Sequence, residues 1–269
     1  MVSLALQDTM SSGLGELGFR WLHVIAGVLW IGILWFFNWI NGAFTATMDG
    51  ETKKKVVPEL MPRALFWFRW GAAFTWLTGV SLLMIIYYHG LYTYDSGQLA
   101  GTKPTPAVWG MTFGALFVGF LVYDILFKSL KGPMHSIGVI VWGLIAVGFG
   151  VWLNSMDYSN RAIYVHIGAL FGTSMAANVW MRIWPAQKRI ITAIKNGEKP
   201  DPADPAMAGL RSKHNTYMSV PLLLYMVSVN QDAMLQIEAY TAVISITLVI
   251  GFVFTYFIYN VMVPKVKGF

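Results

Sequence analysis

Seven stretches of this chain are apolar for long enough to cross about 30 Å of hydrocarbon as helices, near residues 17–41, 63–88, 107–130, 133–154, 161–184, 213–231 and 236–262. Lipid offers the backbone no hydrogen bonds, so each such segment must satisfy its own N–H and C=O groups, which an α-helix does. The sixth stretch is the shortest and holds Pro221, tolerable where a neighbouring helix serves the freed carbonyl. Composition agrees: 56% of residues are hydrophobic and only 12% charged, too few to cover an ordinary water-facing surface. The predicted fold is therefore all-α, a polytopic transmembrane helical bundle of about seven spans forming a single integral membrane domain over residues 1–269. The first sixteen residues carry Asp8 and Glu16 and no basic segment, so the first apolar run reads as a span and not as a cleaved signal.

Basic residues set the orientation. The connections after the first, third and fifth spans hold Lys53, Lys54, Lys55 and Arg63; Lys128 and Lys131; and Arg182, Lys188, Arg189, Lys195, Lys199, Arg211 and Lys213. Lys265 and Lys267 follow the last span, while the other side has Arg20, Lys103 and Arg161. This imbalance predicts a cytoplasmic rich side, an outer N-terminus and a cytoplasmic C-terminus. The net charge of +6 is thus explained by topology, and nucleic acid is not expected as a partner. Trp21, Trp67, Trp109, Trp152 and Trp184 fall near span ends, as interfacial anchors do. The run Lys199-Pro200-Asp201-Pro202 with Asp204-Pro205 reads as an extended connector. Without cysteine, the chain has no disulfide, thiolate metal site or covalently attached c-type haem.

Ionisable groups inside spans are costly unless paired or solvated. Arg69 and Asp124 lie at similar depths in spans two and three, which predicts an ion pair, either a structural lock or part of a proton path or ligand anchor. His23 and His166 lie about 8–9 Å below the outer surface at 1.5 Å per residue, and His135 and His214 both open spans on the cytoplasmic side. Two imidazoles at one depth on different helices are what bis-histidine ligation of a b-type haem requires. Gly27, Gly168 and Gly172 near His23 and His166 would leave a macrocycle room, although small residues equally let helices pack closely. Helix-packing histidines, a metal such as copper and a proton relay remain open at this stage.

Several motifs share a family likeness. Arg20-Trp21-Leu22-His23-Val24-Ile25 with Trp30-Ile31-Gly32, Trp67-Phe68-Arg69-Trp70, Thr75-Trp76-Leu77-Thr78-Gly79, Tyr123-Asp124, Gly168-Ala169-Leu170, Ala177-Asn178-Val179-Trp180, Pro185-Ala186-Gln187-Lys188 and Arg211-Ser212-Lys213-His214-Asn215-Thr216-Tyr217 occur in that order. Together they resemble the N-terminal membrane domain of the membrane-bound urate oxidase family. The likeness departs at Gly71 and at Asn230-Gln231, where the family commonly carries an acidic residue and a histidine. The resemblance implies a bacterial inner-membrane protein of purine degradation, whose typical members continue into an outer-facing cytochrome c domain. His23, His166 and His214 fall on its motif positions.

These observations lead to an expected electron-transfer oxidoreductase module in the lipid bilayer, holding one or two haem b groups and passing electrons to a cytochrome c or another membrane subunit. His23 and His166 are the expected iron ligands, with His214 and His135 as a second pair; Arg20, Arg161 and Tyr164 would meet the propionates, and Arg211 and Asn215 a purine such as urate. The alternative is a non-catalytic accessory subunit of a larger respiratory or photosynthetic membrane complex.

Overall fold

The computed structural model describes residues 2–94 and 97–266, with side chains from residue 13 onward; Lys267 of the charge count lies outside the described residues. Eight principal helices follow one another, and no strand occurs among the described residues. Helix α1 (Val2–Trp35) runs on through a π turn, Phe36–Asn41, into Gly42–Ala46. Helix α2 (Gly50–Leu82) starts on an Asp49 cap and ends in a π turn, Leu83–Tyr88. Helices α3 (Pro106–Ser129) and α4 (His135–Asn154) follow, then α5 (Asn160–Asn178), whose π turn Val179–Ile183 leads into α6 (Trp184–Lys195). Helix α7 (Ala203–Ser228) and helix α8 (Tyr240–Phe257), which closes with the π turn Ile258–Met262, complete the bundle.

Six helical segments are long and apolar enough to cross a membrane, namely those built on α1, α2, α3, α4, α5 with α6, and α8. The sixth apolar stretch of the sequence lies in α7, which is 26 residues long but carries Arg211, Lys213, His214 and Asn215. The polar helix is sheltered. Helix α7 packs along α5 and against α1, α6 and α8, so Arg211, His214, Asn215 and Thr216 are all buried.

Helix α5 is the central pillar: 83% of its most apolar window is buried, against 22% for α1 and for α8. Around it run α1, α2, α3, α4, α8 and α7; α1 packs on α2, α3 on α4, α4 on α8, α8 on α7 and α7 on α1, and Trp76 meets Phe117 edge-on between α2 and α3. Outward faces carry Val28, Phe74, Val118, Ile140 and Ile250 in the open, as a lipid-facing surface does. Two glycines permit close crossings. A Cβ on Gly71 would stand 3.2 Å from the Trp30 backbone nitrogen, where α1 crosses α2. One on Gly251 would stand 2.7 Å from Pro221 Cδ, so α8 presses directly on the kink-prone residue of α7.

The stretch predicted as an extended connector ends sooner than expected. Helix α7 begins at Ala203, with Asp204 in its first turn. Proline is tolerated in a first turn, where N–H groups have no intrahelical partner, and Arg189 Nε donates to Asp204 at 2.8 Å. Of the predicted tryptophan anchors, Trp21, Trp67 and Trp152 are exposed. Trp109 instead stacks on Tyr88 at 5.9 Å, and Trp184 lies under a guanidinium.

Candidate functional site

Most basic residues lie on the helical segments that flank the connections after α1, α3 and α6, and just inside that basic end of the bundle lies a network of buried polar side chains. Its hub is Asp124 on α3, only 7% exposed. Arg182 grips both carboxylate oxygens, Nε at 2.9 Å and Nη2 at 2.5 Å. Arg211 Nη2 donates to Oδ1 at 2.9 Å, and Lys128, one turn along α3, reaches Oδ2 at 2.7 Å. One carboxylate thus faces three cations, the arginines coming from the π turn after α5 and from α7. Arg211 is buried and its Nη1 has no protein partner.

The predicted Arg69–Asp124 pair does not form. Arg69 lies over the Trp184 ring at 4.0 Å and near Trp180 at 5.9 Å. Equal depth places two residues on one level but says nothing about direction: Arg69 faces the tryptophans of the α5–α6 segment, and Asp124 faces α5 and α7.

Tyr123, beside the hub residue, begins a second chain of contacts. Asn178 Nδ2 donates to the Tyr123 hydroxyl at 2.9 Å and to Asn215 Oδ1 at 2.9 Å, while Asn215 Nδ2 donates to the Met175 carbonyl at 3.0 Å. The Tyr123 hydroxyl and His214 Nδ1 are 2.8 Å apart, and His214 Nε2 and His135 Nε2 are 2.7 Å apart. With the tyrosine donating to His214, His214 carries its proton on Nε2 and donates to His135; both rings can then be neutral. The Arg211 guanidinium lies 5.0 Å from the Tyr123 ring centroid, and Asn178 Oδ1 is buried without a partner. Sequence reasoning named His214, His135, Arg211 and Asn215 but assigned no role to Tyr123, Asn178 or Arg182. Their signal was a set of polar groups recurring at one depth of three apolar helices.

At the opposite end, His23 and His166 meet different partners. His23 Nδ1 donates to Thr78 Oγ1 at 3.1 Å, the Thr78 hydroxyl itself donating to the Phe74 carbonyl. His166 is fully buried; Nδ1 donates to the Ala162 carbonyl at 2.7 Å, and Nε2 accepts from the Tyr88 hydroxyl at 2.9 Å. Tyr87 and Tyr158 stand edge-on to the same ring. Among the described residues no contact joins His23 to His166. Arg20 pairs with Glu16, Arg161 lies 5.7 Å from the Tyr92 ring centroid, and Tyr164 is buried beside Tyr225.

A haem between these rings requires a free nitrogen on each and a cradle of small residues. Both nitrogens of His166 are engaged, and the small residues face protein: a Cβ on Gly168 would stand 2.7 Å from Met226 Cε, one on Gly172 3.6 Å from Leu222, and one on Gly27 3.8 Å from Thr75. The residues at this end do not fit a shared haem iron. Nor does a nitrogen separation of 2.7 Å between His135 and His214 admit an iron with Fe–N bonds of about 2 Å on each side, the usual length of a metal–imidazole bond.

No curated protein and no solved structure matches the chain. Residues 9–267, nearly its whole length, match the family described as urate oxidase N-terminal, and the chain belongs to that family.

Proposed function

We propose that the protein is a urate-oxidase-like electron-transfer module of a bacterial inner membrane, with seven spans, the N-terminus outside and the basic end in the cytoplasm. Its substrate is a small planar purine anion such as urate, held beside Tyr123 in the buried network, and its electrons leave to a cytochrome c or partner subunit. The observation that carries this reading is an excess of cations around one buried carboxylate: the buried Arg211, the partly exposed Arg182 and the exposed Lys128 share only Asp124.

Buried charge lacking a counter-charge is unfavourable, and an anion would supply the missing one. Arg211 Nη1 offers a donor and Asn178 Oδ1 an acceptor, each on a residue that touches Tyr123. A urate anion presents both oxygens and N–H groups along its edges, so it can satisfy both. Oxidising such a purine by two electrons also releases protons. Tyr123, His214 and His135 form a hydrogen-bonded file from the buried site toward the surface, His135 being half-exposed. Each imidazole can pass a proton by accepting at one nitrogen and releasing from the other.

The b-type haem expected from the sequence enters this proposal as a test and not as a step. A visible spectrum of the purified protein with reduced b-type α and Soret bands, lost in His23→Ala or His166→Ala, would require the outer histidines to rearrange around iron. The functional test is urate-dependent reduction of an added cytochrome c by the protein in nanodiscs, expected to fall at least tenfold in Arg211→Gln. A well-folded protein that neither binds urate nor reduces any acceptor, and that copurifies at fixed stoichiometry with other membrane subunits, would overturn the proposal in favour of an accessory subunit.

A further inference from the structure

On the other face of α7 from the Tyr123 network lies a cavity of about 540 Å³. Arg211, His214 and Asn215 face the network, whereas Ser212 and Lys213 line the cavity. Three of the four π turns contribute to its wall, through Phe37, Asn38 and Asn41, through Ile183, and through Tyr259. π turns interrupt regular helix packing and recur at functional sites.

The wall is firmly held. Asn38 Nδ2 donates to Ser212 Oγ at 2.8 Å, and the Tyr259 hydroxyl donates to Asn38 Oδ1 at 2.9 Å, tying α1, α7 and the end of α8 together. Asn41 is different. It is only 7% exposed, its Nδ2 reaches nothing better than the Met61 thioether at 3.7 Å, and its Oδ1 has no partner. A buried carboxamide with both ends unspent is unfavourable unless a ligand meets it. Around it the wall is apolar and aromatic, from Phe37, Met61, Leu65 and Ile183, and one cation, Lys213, lies 5.2 Å from the Tyr259 ring centroid.

We propose that this cavity binds the ring headgroup of a membrane quinone. Four features select that class. The volume lies in the range of small-molecule sites; the position is at the ends of apolar helices, where a lipid-soluble ring meets the aqueous boundary; the walls suit an apolar ring; and the unspent Asn41 amide serves both redox states. Asn41 Nδ2 donates to a quinone carbonyl, and Asn41 Oδ1 accepts from a quinol hydroxyl. A lone lysine without an arginine or second cation is a poor match to a phosphate headgroup. Binding stands independently of the reaction proposed above. Use of the ring as electron acceptor rests on that reaction: two electrons from the purine, crossing α7, and two protons convert the two quinone carbonyls to hydroxyls.

The test is titration of the full chain in nanodiscs with decylubiquinone and with decylubiquinol, read by quenching of tryptophan fluorescence, with urate as the competitor. Saturable binding of both forms is expected, unaffected by urate and at least tenfold weaker in Asn41→Leu and in Met61→Trp, which fills the cavity. Lys213→Met, an exposed position, keeps the comparison interpretable if the buried variants do not fold, and should weaken binding severalfold. Absence of saturable binding to the wild type, wild-type affinity in the variants that fold, or displacement by urate would each overturn the proposal. Binding failure leaves urate-dependent cytochrome c reduction intact, so the two proposals fail separately.

Discussion

The two ends of the bundle use histidine and charge in opposite ways. At the end holding Asp124, side chains from α3, α4, α5 and α7 form one connected polar assembly, with more cations than carboxylates and unpaired atoms on Arg211 and Asn178. At the other end, His166 has both ring nitrogens engaged and His23 is bound through Nδ1 to Thr78, and among the described residues no contact joins the two rings. A satisfied buried histidine stiffens a helix contact. An unsatisfied, cation-rich network is suited to take up something from outside the chain.

The largest effect that can break this contrast is removal of the hub. Asp124→Leu strands the buried Arg211 beside an apolar side chain, and breaking such a buried ion pair by deleting one partner typically destabilises by about 3–5 kcal/mol. The expected outcome is a marked fall in the midpoint of denaturant unfolding in detergent. Arg69→Leu then sharpens the assignment. In a double-mutant cycle with Asp124→Leu it should be additive to within about 0.5 kcal/mol, whereas Arg211→Leu should couple to the hub by about 0.5–3 kcal/mol. Coupling of Arg69 to Asp124 would restore the ion pair expected from depth alone.

Smaller effects belong to the opposite end. His166→Phe keeps an aromatic ring but removes the acceptor of the buried Tyr88 hydroxyl, leaving it only the 3.4 Å contact with Thr112, a loss of about 1–3 kcal/mol. His23→Ala removes one hydrogen bond at a half-buried site, with a loss of about 1 kcal/mol. Equal and large losses from both, together with loss of visible absorbance, would show the two rings acting as a pair.

Much of the architecture was legible in the sequence because burial in lipid is recorded residue by residue: a run of about 20 apolar side chains is a span whatever it packs against. Every predicted stretch coincides with a helix, including α7 around Pro221. Position along each helix was legible for the same reason. Direction around each helix was not, since spans that are apolar on every side carry little periodicity to show which face meets which neighbour. Arg69 and Asp124 therefore looked like partners, and so did His23 and His166. The meeting of His135 with His214 was readable as a possibility because the sequence put both at span starts on one side; His135 does open α4, but α7 begins at Ala203 and carries His214 in its middle, and Tyr123 as the link between His214 and Asn178 required coordinates.

The smallest effect tests the short connection that joins α1 to α2 at the basic end. Asp49 caps α2, accepting from the Thr52 backbone N–H at 2.9 Å and from the Thr52 hydroxyl at 2.7 Å. Those bonds favour the charged form and hold its carboxyl below the usual range, the backbone bond contributing most. A carboxyl lowered in the folded state stabilises above its unfolded value, about 3.9, and that contribution disappears as pH falls through the lower folded value. Asp49→Ala should therefore lower the melting temperature slightly at neutral pH, and the difference from wild type should close below about pH 4. The cap is fully exposed and far from the Asp124 network, so urate-dependent reduction should be unchanged. A pH-independent difference would mean that the side chain acts through the loop conformation and not through its charge.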